Sequence, residues 1–324
     1  MILKDINNAI SEIAETFLNQ KHMTGYKYNS QEKYLKRFIE FYKREGYTGI
    51  RITKTMIEKF IYDSYEKPST HYIKEILLRD FAEFLSNQGY KEIYVPPVCS
   101  GSYRCKHIPY IFTDDKIKHL FTAIDNWEES FFTNCTQIDP VLFRILYATG
   151  MRLSEALNLT VSDFNLIDGT LTVYHAKNNK DRIIPLASSL VQKLTDYISV
   201  MHRFSENDTY LFNVGKGLRM NNSTVYRRFR QYILKAGIPH TKAGPRVHDL
   251  RHNFAVKCLK KHVLAGEELT SILPYLAAYM GHSDFRGTQY YLRLTADLYP
   301  HIISCSEAVF GDLIPEGGSD YENL

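Results

Sequence analysis

Apolar positions recur at helical spacing through the first ninety or so residues. Leu3, Ile6, Ile10, Ile13 and Phe17 share one face of a helix expected over residues 3–20. Ser30 is a candidate cap for a second helix, QEKYLKRFIEFYKRE, which Gly46 ends. A third is expected after Thr53, in TMIEKFIYDSY. A fourth follows Pro68-Ser69, in YIKEILLRDFAEFLSNQ, and stops at Gly89. Four short amphipathic helices with tight connections make a small bundle. The pattern then breaks: Pro96, Pro97, Gly101 and Pro109 mark an exposed linker over residues 94–111. The expected division is a helical domain over 1–93, that linker, a second domain over 112–312 and an acidic tail over 313–324.

Thr113 opens the second domain as the N-cap of DDKIKHLFTAI, with Asp114 and Asp115 favourable at the helix start. Further on, an apolar helix from Val141 runs into Thr149-Gly150, where glycine permits a sharp turn. A new helix starts near Arg152-Leu153-Ser154-Glu155. Arg152 therefore sits at a helix-to-helix corner that its apolar neighbours bury; the alternative is a surface arginine paired with Glu155. Asp168-Gly169 signals a turn. Leu171, Val173 and Tyr174 suggest a strand, and residues 182–186 its hairpin partner, with Lys177, Asn178, Asn179 and Lys180 at the tip. Residues 222–236 form a capped helix ended by Gly237. Tyr226, Phe229, Ile233 and Leu234 make its packed side, leaving Arg227, Arg228 and Arg230 for solvent or phosphate. The fold class is mainly α with a small antiparallel β element, a helical domain followed by an α+β domain.

Composition changes this picture little. A chain of 324 residues suggests about two domains. A net charge of +4 is a mild basic bias, compatible with a nucleic-acid partner. In the first third, Tyr26, Lys27, Tyr28, Lys33, Lys36, Arg37, Lys43 and Arg44 gather aromatic and basic groups, either as a DNA-backbone surface or as a solvated face. No apolar run spans a bilayer, and acids near the N-terminus argue against a signal peptide. The five cysteines, Cys99, Cys105, Cys135, Cys258 and Cys305, lack a paired C-x-x-C pattern and are expected as free thiols in a reducing cytoplasm.

The candidate chemistry lies between His248 and Tyr291: His248-x-x-Arg251, then His252, then Gly281-His282, then Tyr290-Tyr291. Arginine offers a planar fork to phosphate oxygens, histidine moves protons near neutral pH, and tyrosine is able to form a covalent intermediate. P-loop and carboxylate metal motifs are absent from the sequence, so neither a metal nor a cofactor is expected.

The ordered set ATGMRLSE, HAKNNKDR followed by IIPL, HDLRH, MGH and TQYY resembles the tyrosine recombinase family, also called phage integrases. The likeness covers the whole second domain; the helical first third is similar to that family's core-binding domain only in size and type. It implies a site-specific recombinase that cuts and rejoins double-stranded DNA through a 3′-phosphotyrosine, with a mobile element as the expected setting. By this resemblance Arg152 is the first catalytic arginine and Lys177 the hairpin lysine. His248 and Arg251 form the H-x-x-R box, His282 is the second histidine, and Tyr291, nine positions later, is the nucleophile. Glu155 would support the site from behind. Met151 and Met280 depart from the pattern, standing where leucine is common. The implied partners are duplex DNA, further copies of the chain in a DNA-bound tetramer, and accessory recombination proteins; no membrane is implied. The segment 302–312 would dock on a neighbouring protomer, or pack in cis. Alternatives are a type IB topoisomerase, which resembles the same constellation, and a silent DNA-binding protein of the same fold.

Overall fold

The computed structural model describes residues 2–26, 28–62, 65–98, 109–128, 134–174, 181–215, 217–241, 244–281 and 291. The chain divides into two compact units, Met1–Lys106 and His107–Leu324. Of the expected linker, only 94–98 and 109–111 are among the described residues, and the segments 302–312 and 313–324 lie outside them. No helix among the described residues is long and apolar enough to cross a membrane.

The first unit holds α1 (Ile2–Met23), α2 (Asn29–Arg44), α3 (Lys54–Tyr62) and α4 (Pro68–Asn87). Their apolar stripes meet in a core that includes Phe17, Leu35, Phe38, Tyr42, Leu77 and Phe81. Thr53 caps α3, accepting from the Met56 N–H at 3.2 Å. Ser30 does not cap α2: the helix begins two residues earlier than expected, at Asn29 after a left-handed Tyr28 (φ 42°), so Ser30 lies in its first turn. Tyr28 is anchored instead by its hydroxyl, which donates to Asp80 at 3.2 Å. Lys33 is exposed. Lys36 and Arg37 are exposed but each meets a carboxylate, Glu32 at 2.6 Å and Glu66 at 3.2 Å. Lys27 lies outside the described residues.

The second unit runs α5 (Asp114–Asp125), α6 (Cys135–Thr149), α7 (Leu153–Ala156), β1 (Phe164–Asn165), β2 (Thr170–Val173), β3 (Arg182–Pro185), α8 (Ser188–Met201), α9 (Asn222–Lys235), α10 (Val247–Leu264) and α11 (Leu269–Met280). Thr113 caps α5 as its sequence predicts. The strands form one antiparallel sheet in the order β1-β2-β3, with Val173 opposite Arg182 and Leu171 opposite Ile184. The sheet is thus a hairpin plus a two-residue strand too short to show alternation. The predominantly apolar α6 is buried on most sides, against α5, α8 and α10.

The inside of α9 differs from the expected face. Val225, Phe229, Tyr232 and Ile233 are buried, whereas Tyr226 and Leu234 are exposed. Arg228 is a correction: it is buried, and its Nη1 donates to Asp139 on α6 at 3.1 Å. The Tyr232 hydroxyl donates to the other Asp139 oxygen at 2.5 Å. Burial pushes the Asp139 carboxyl above its ordinary value, with Arg228 and Tyr232 opposing the shift. An arginine three residues from Val225 and four from Tyr232 shares their inward stripe, and a buried carboxylate awaits it there. Arg227 and Arg230 are exposed, as expected.

Candidate active site

Four elements deliver the site. Gly150 ends α6 in the left-handed conformation (φ 61°), and a Cβ there would stand 2.5 Å from Phe254 of α10. The turn places Arg152 at the N-cap of α7, one helical turn before Glu155. The Glu155 side chain accepts the Arg152 backbone N–H at 2.9 Å, and Arg152 Nη1 donates to it at 2.7 Å. Both readings of Arg152 therefore hold in part: it is paired with Glu155, and the pair is set into the corner rather than on the surface.

Arg251 is buried one turn into α10. Its Nη1 donates to the carbonyl of Gly150 at 2.6 Å and its Nη2 to that of Met280 at 2.7 Å. Burial pushes its guanidinium down to about 10, while the neighbouring Tyr291 pulls it up and Arg152 pushes it further down. It remains cationic at neutral pH.

A residue absent from the sequence-based site completes the arrangement. Arg182, at the start of β3, donates from Nη2 to Glu155 at 2.7 Å and from Nε to the carbonyl of Tyr279 at 2.9 Å. Arg152 Nη2 donates to the carbonyl of Gly281 at 3.1 Å. Three arginines from three elements thus take the last three carbonyls of α11 and its cap, one each, immediately before His282. Burial alone would raise the Glu155 carboxyl, but hydrogen bonds from Arg182 and Arg152 hold it below its ordinary value. A signal for Arg182 was present in the sequence. Strand alternation puts residue 182 on the same face as Ile184, which is buried, and opposite to Ile183, which is exposed. An arginine on an inward face needs a partner.

A cavity of about 200 Å³ opens beside this cluster, lined among others by Arg152, His248, Arg251, Asn222 and Tyr226. His248 and His252 meet edge to face at 4.8 Å between ring centroids, and His252 meets the Tyr291 ring at 5.4 Å. Tyr291 is buried. The structure therefore brings together Arg152, Glu155, His248, Arg251 and Tyr291. Lys177, His282 and Tyr290 lie outside the described residues.

The phage integrase family model matches residues 111–297. A putative integrase/recombinase of Sinorhizobium fredii is 26% identical over 301 residues, covering 89% of this chain and 93% of its own. The tyrosine recombinase XerA of Pyrococcus furiosus is 28% identical over 290 residues, covering 88% of this chain and 91% of its own. Among solved structures, the XerH site-specific recombinase bound to its palindromic difH substrate superposes with a TM-score of 0.65 at 21% identity. That match covers 87% of this chain and 78% of the other. With the family model spanning more than half the sequence, and with Arg152, His248 and Arg251 lining one cavity, the chain belongs to the phage integrase family, the tyrosine recombinases.

Proposed function

We propose that this recombinase cleaves duplex DNA by attack of Tyr291 on a backbone phosphate held by Arg152 and Arg251. The carrying observation is the placement of Tyr291. Its ring packs on His252, which in turn meets His248, and it lies within the electrostatic reach of Arg251. A guanidinium carries five N–H groups, so holding backbone carbonyls is compatible with binding phosphate oxygens.

In the proposed reaction the tyrosine Oη bonds to phosphorus in line with the departing 5′-oxygen. The phosphorus–oxygen bond breaks, leaving a 3′-phosphotyrosine and a free 5′-hydroxyl. A phenol is mostly protonated at neutral pH, with an ordinary pKa of about 10. His248 accepts its proton in this scheme, Lys177 protonates the leaving oxygen, and His282 bonds the phosphate. Arg152 and Arg251 stabilise the charge that grows on the non-bridging oxygens. Attack by a 5′-hydroxyl on the phosphotyrosine reverses the step and rejoins strands without an external energy source. We assign phosphate contacts outside the site to Lys27, Lys33, Lys36, Arg37, Arg227 and Arg230. Exchange between two duplexes requires several protomers on the DNA, a tetramer in this proposal, and integration or excision of a mobile element is the setting that fits such an exchange.

The test is a nicked substrate that traps the cleaved strand, followed by a denaturing gel and peptide mapping of the linked residue. Wild type is expected to give an adduct on Tyr291, and Tyr291→Phe to bind DNA without one. An adduct mapped to Tyr290, or full yield from Tyr291→Phe, overturns the assignment. Relaxation of supercoiled plasmid without paired sites, and without strand exchange, would favour a topoisomerase.

A further inference from the structure

The proposed phosphate ligands leave Arg182 without a task, yet it is among the most deeply committed side chains of the second unit. Its side chain is 9% exposed and Glu155 is 6% exposed, so their 2.7 Å contact is a buried ion pair. Its Nη1 is buried with no hydrogen-bond partner among the described residues. It stands 3.0 Å from where a Cβ on Gly281 would lie. A side chain kept only to fill space would be apolar, because a buried guanidinium with an unspent donor is costly. Arg182 must therefore be retained for the two bonds it does make.

Those bonds have a common target. Glu155 Oε2 receives both Arg182 Nη2 and the Arg152 backbone N–H, while Oε1 receives Arg152 Nη1. The carboxylate is consequently shared between the two arginines. With Arg182 in place, Glu155 is held from the β3 side and presents Oε1 to Arg152. The second bond, from Nε to Tyr279 O, fixes the strand against the end of α11, whose Gly281 carbonyl holds Arg152 Nη2. Both routes from Arg182 end on the same guanidinium.

We infer that Arg182 is a positioning residue for the strand-cleavage step, aiming Arg152 at the scissile phosphate through Glu155 and the end of α11. This rests on the reading of Arg152 as a phosphate ligand. Lysine in its place keeps the charge but has no fork, so it cannot hold Glu155 and Tyr279 O in the same geometry. Misplacement of a reacting group by about 1 Å costs on the order of a hundredfold in rate.

The test compares wild type, Arg182→Lys and Arg182→Gln in single-turnover cleavage of the nicked substrate at saturating DNA. Each is also given a substrate whose scissile phosphate carries a methyl group in place of one non-bridging oxygen. Binding and thermal melting are measured in parallel. The expected result is a loss of about a hundredfold in cleavage rate for Arg182→Lys, with DNA affinity near that of wild type. On the neutral methylphosphonate, which asks less of Arg152, the ratio of variant to wild type should recover by an order of magnitude. In an Arg152→Ala background, Arg182→Lys should slow cleavage no further. A wild-type rate for Arg182→Lys, an equal deficit on both substrates, or full additivity with Arg152→Ala overturns the inference, as does failure of both variants to fold, which would make Arg182 a strut. Absence of any wild-type adduct removes the recombinase reading together with this one. A wild-type adduct with an unaffected Arg182→Lys removes this one alone.

Discussion

Replacing Gly150 with alanine tests how the corner between α6 and α7 holds the site. The residue has φ 61°, a conformation that costs an L-residue about 1–2 kcal/mol. The new methyl would meet Phe254 at 2.5 Å from Cδ1 and 2.9 Å from Cγ, inside any tolerable contact. Phe254 has little room to yield, because it stacks on Tyr279 with ring centroids 5.4 Å apart and planes inclined by 19°. Overpacking of this kind costs about 1–3 kcal/mol. The sum is a destabilisation of roughly 2–5 kcal/mol, read from urea unfolding of the second unit's transition. Gly237→Ala is the control: it has a similar φ, 68°, but open space around its Cβ, so only the backbone part applies. The Gly150 carbonyl also accepts Arg251 Nη1 at 2.6 Å, so Gly150→Ala should slow adduct formation in the fraction that remains folded, and Gly237→Ala should not. Equal destabilisation by the two substitutions, or an unchanged cleavage rate in folded Gly150→Ala, would refute the argument.

Arg228→Ala should destabilise the protein by about 3–5 kcal/mol, since it strands the buried Asp139 carboxylate. Arg227→Ala and Arg230→Ala should leave the melting temperature unchanged and weaken DNA binding with a shallower salt dependence; calorimetry and a salt titration separate the two classes. Glu155 has a folded pKa below its ordinary 4.5, so the unfolded chain binds more protons in that range and stability rises with pH. Its contribution should be full above that value and lost as pH falls through the lower folded one. Glu155→Gln should flatten this part of a stability–pH curve, and an identical curve would contradict it. Lys177→Ala should be rescued by a 5′-bridging sulfur, a better leaving group, whereas Lys180→Ala should gain nothing from it; equal rescue of both would sink the assignment of Lys177.

The helices of the first unit were legible because Leu35, Phe38 and Tyr42 repeat at the helical period and one face is buried. The β2–β3 hairpin was legible from the apolar and β-branched runs at residues 171–173 and Ile183-Ile184, and Asp168-Gly169 marks the turn that precedes it. The α9 face was not. Tyr226 and Leu234 look like core residues by type, yet Tyr226 lines the active-site cavity and Leu234 is exposed, while Arg228 takes an inward position because Asp139 is buried on α6. That partner is 89 residues away in sequence, and no local pattern announces it. For Arg182, strand alternation marks an inward position, but its partners Glu155 and Tyr279 belong to elements before and after it, so its role is not local. The positions shared with the recombinase motifs were legible as a set because the resemblance supplied their order.

The three guanidinium groups on the end of α11 have an electrostatic consequence. Like charges held close together repel, and a site that waited for its ligand to assemble them would meet that repulsion at the moment of binding. Here the negative end of the α11 dipole and the Glu155 carboxylate act as internal counter-ions. The cations are brought together during folding, when hydrogen bonds to carbonyls compensate their desolvation. Under the proposed function, a phosphate would meet a preorganised positive socket, with little reorganisation left for the transition state. The helix that carries the chain toward His282 is thereby also the scaffold on which the charge of the site is stored.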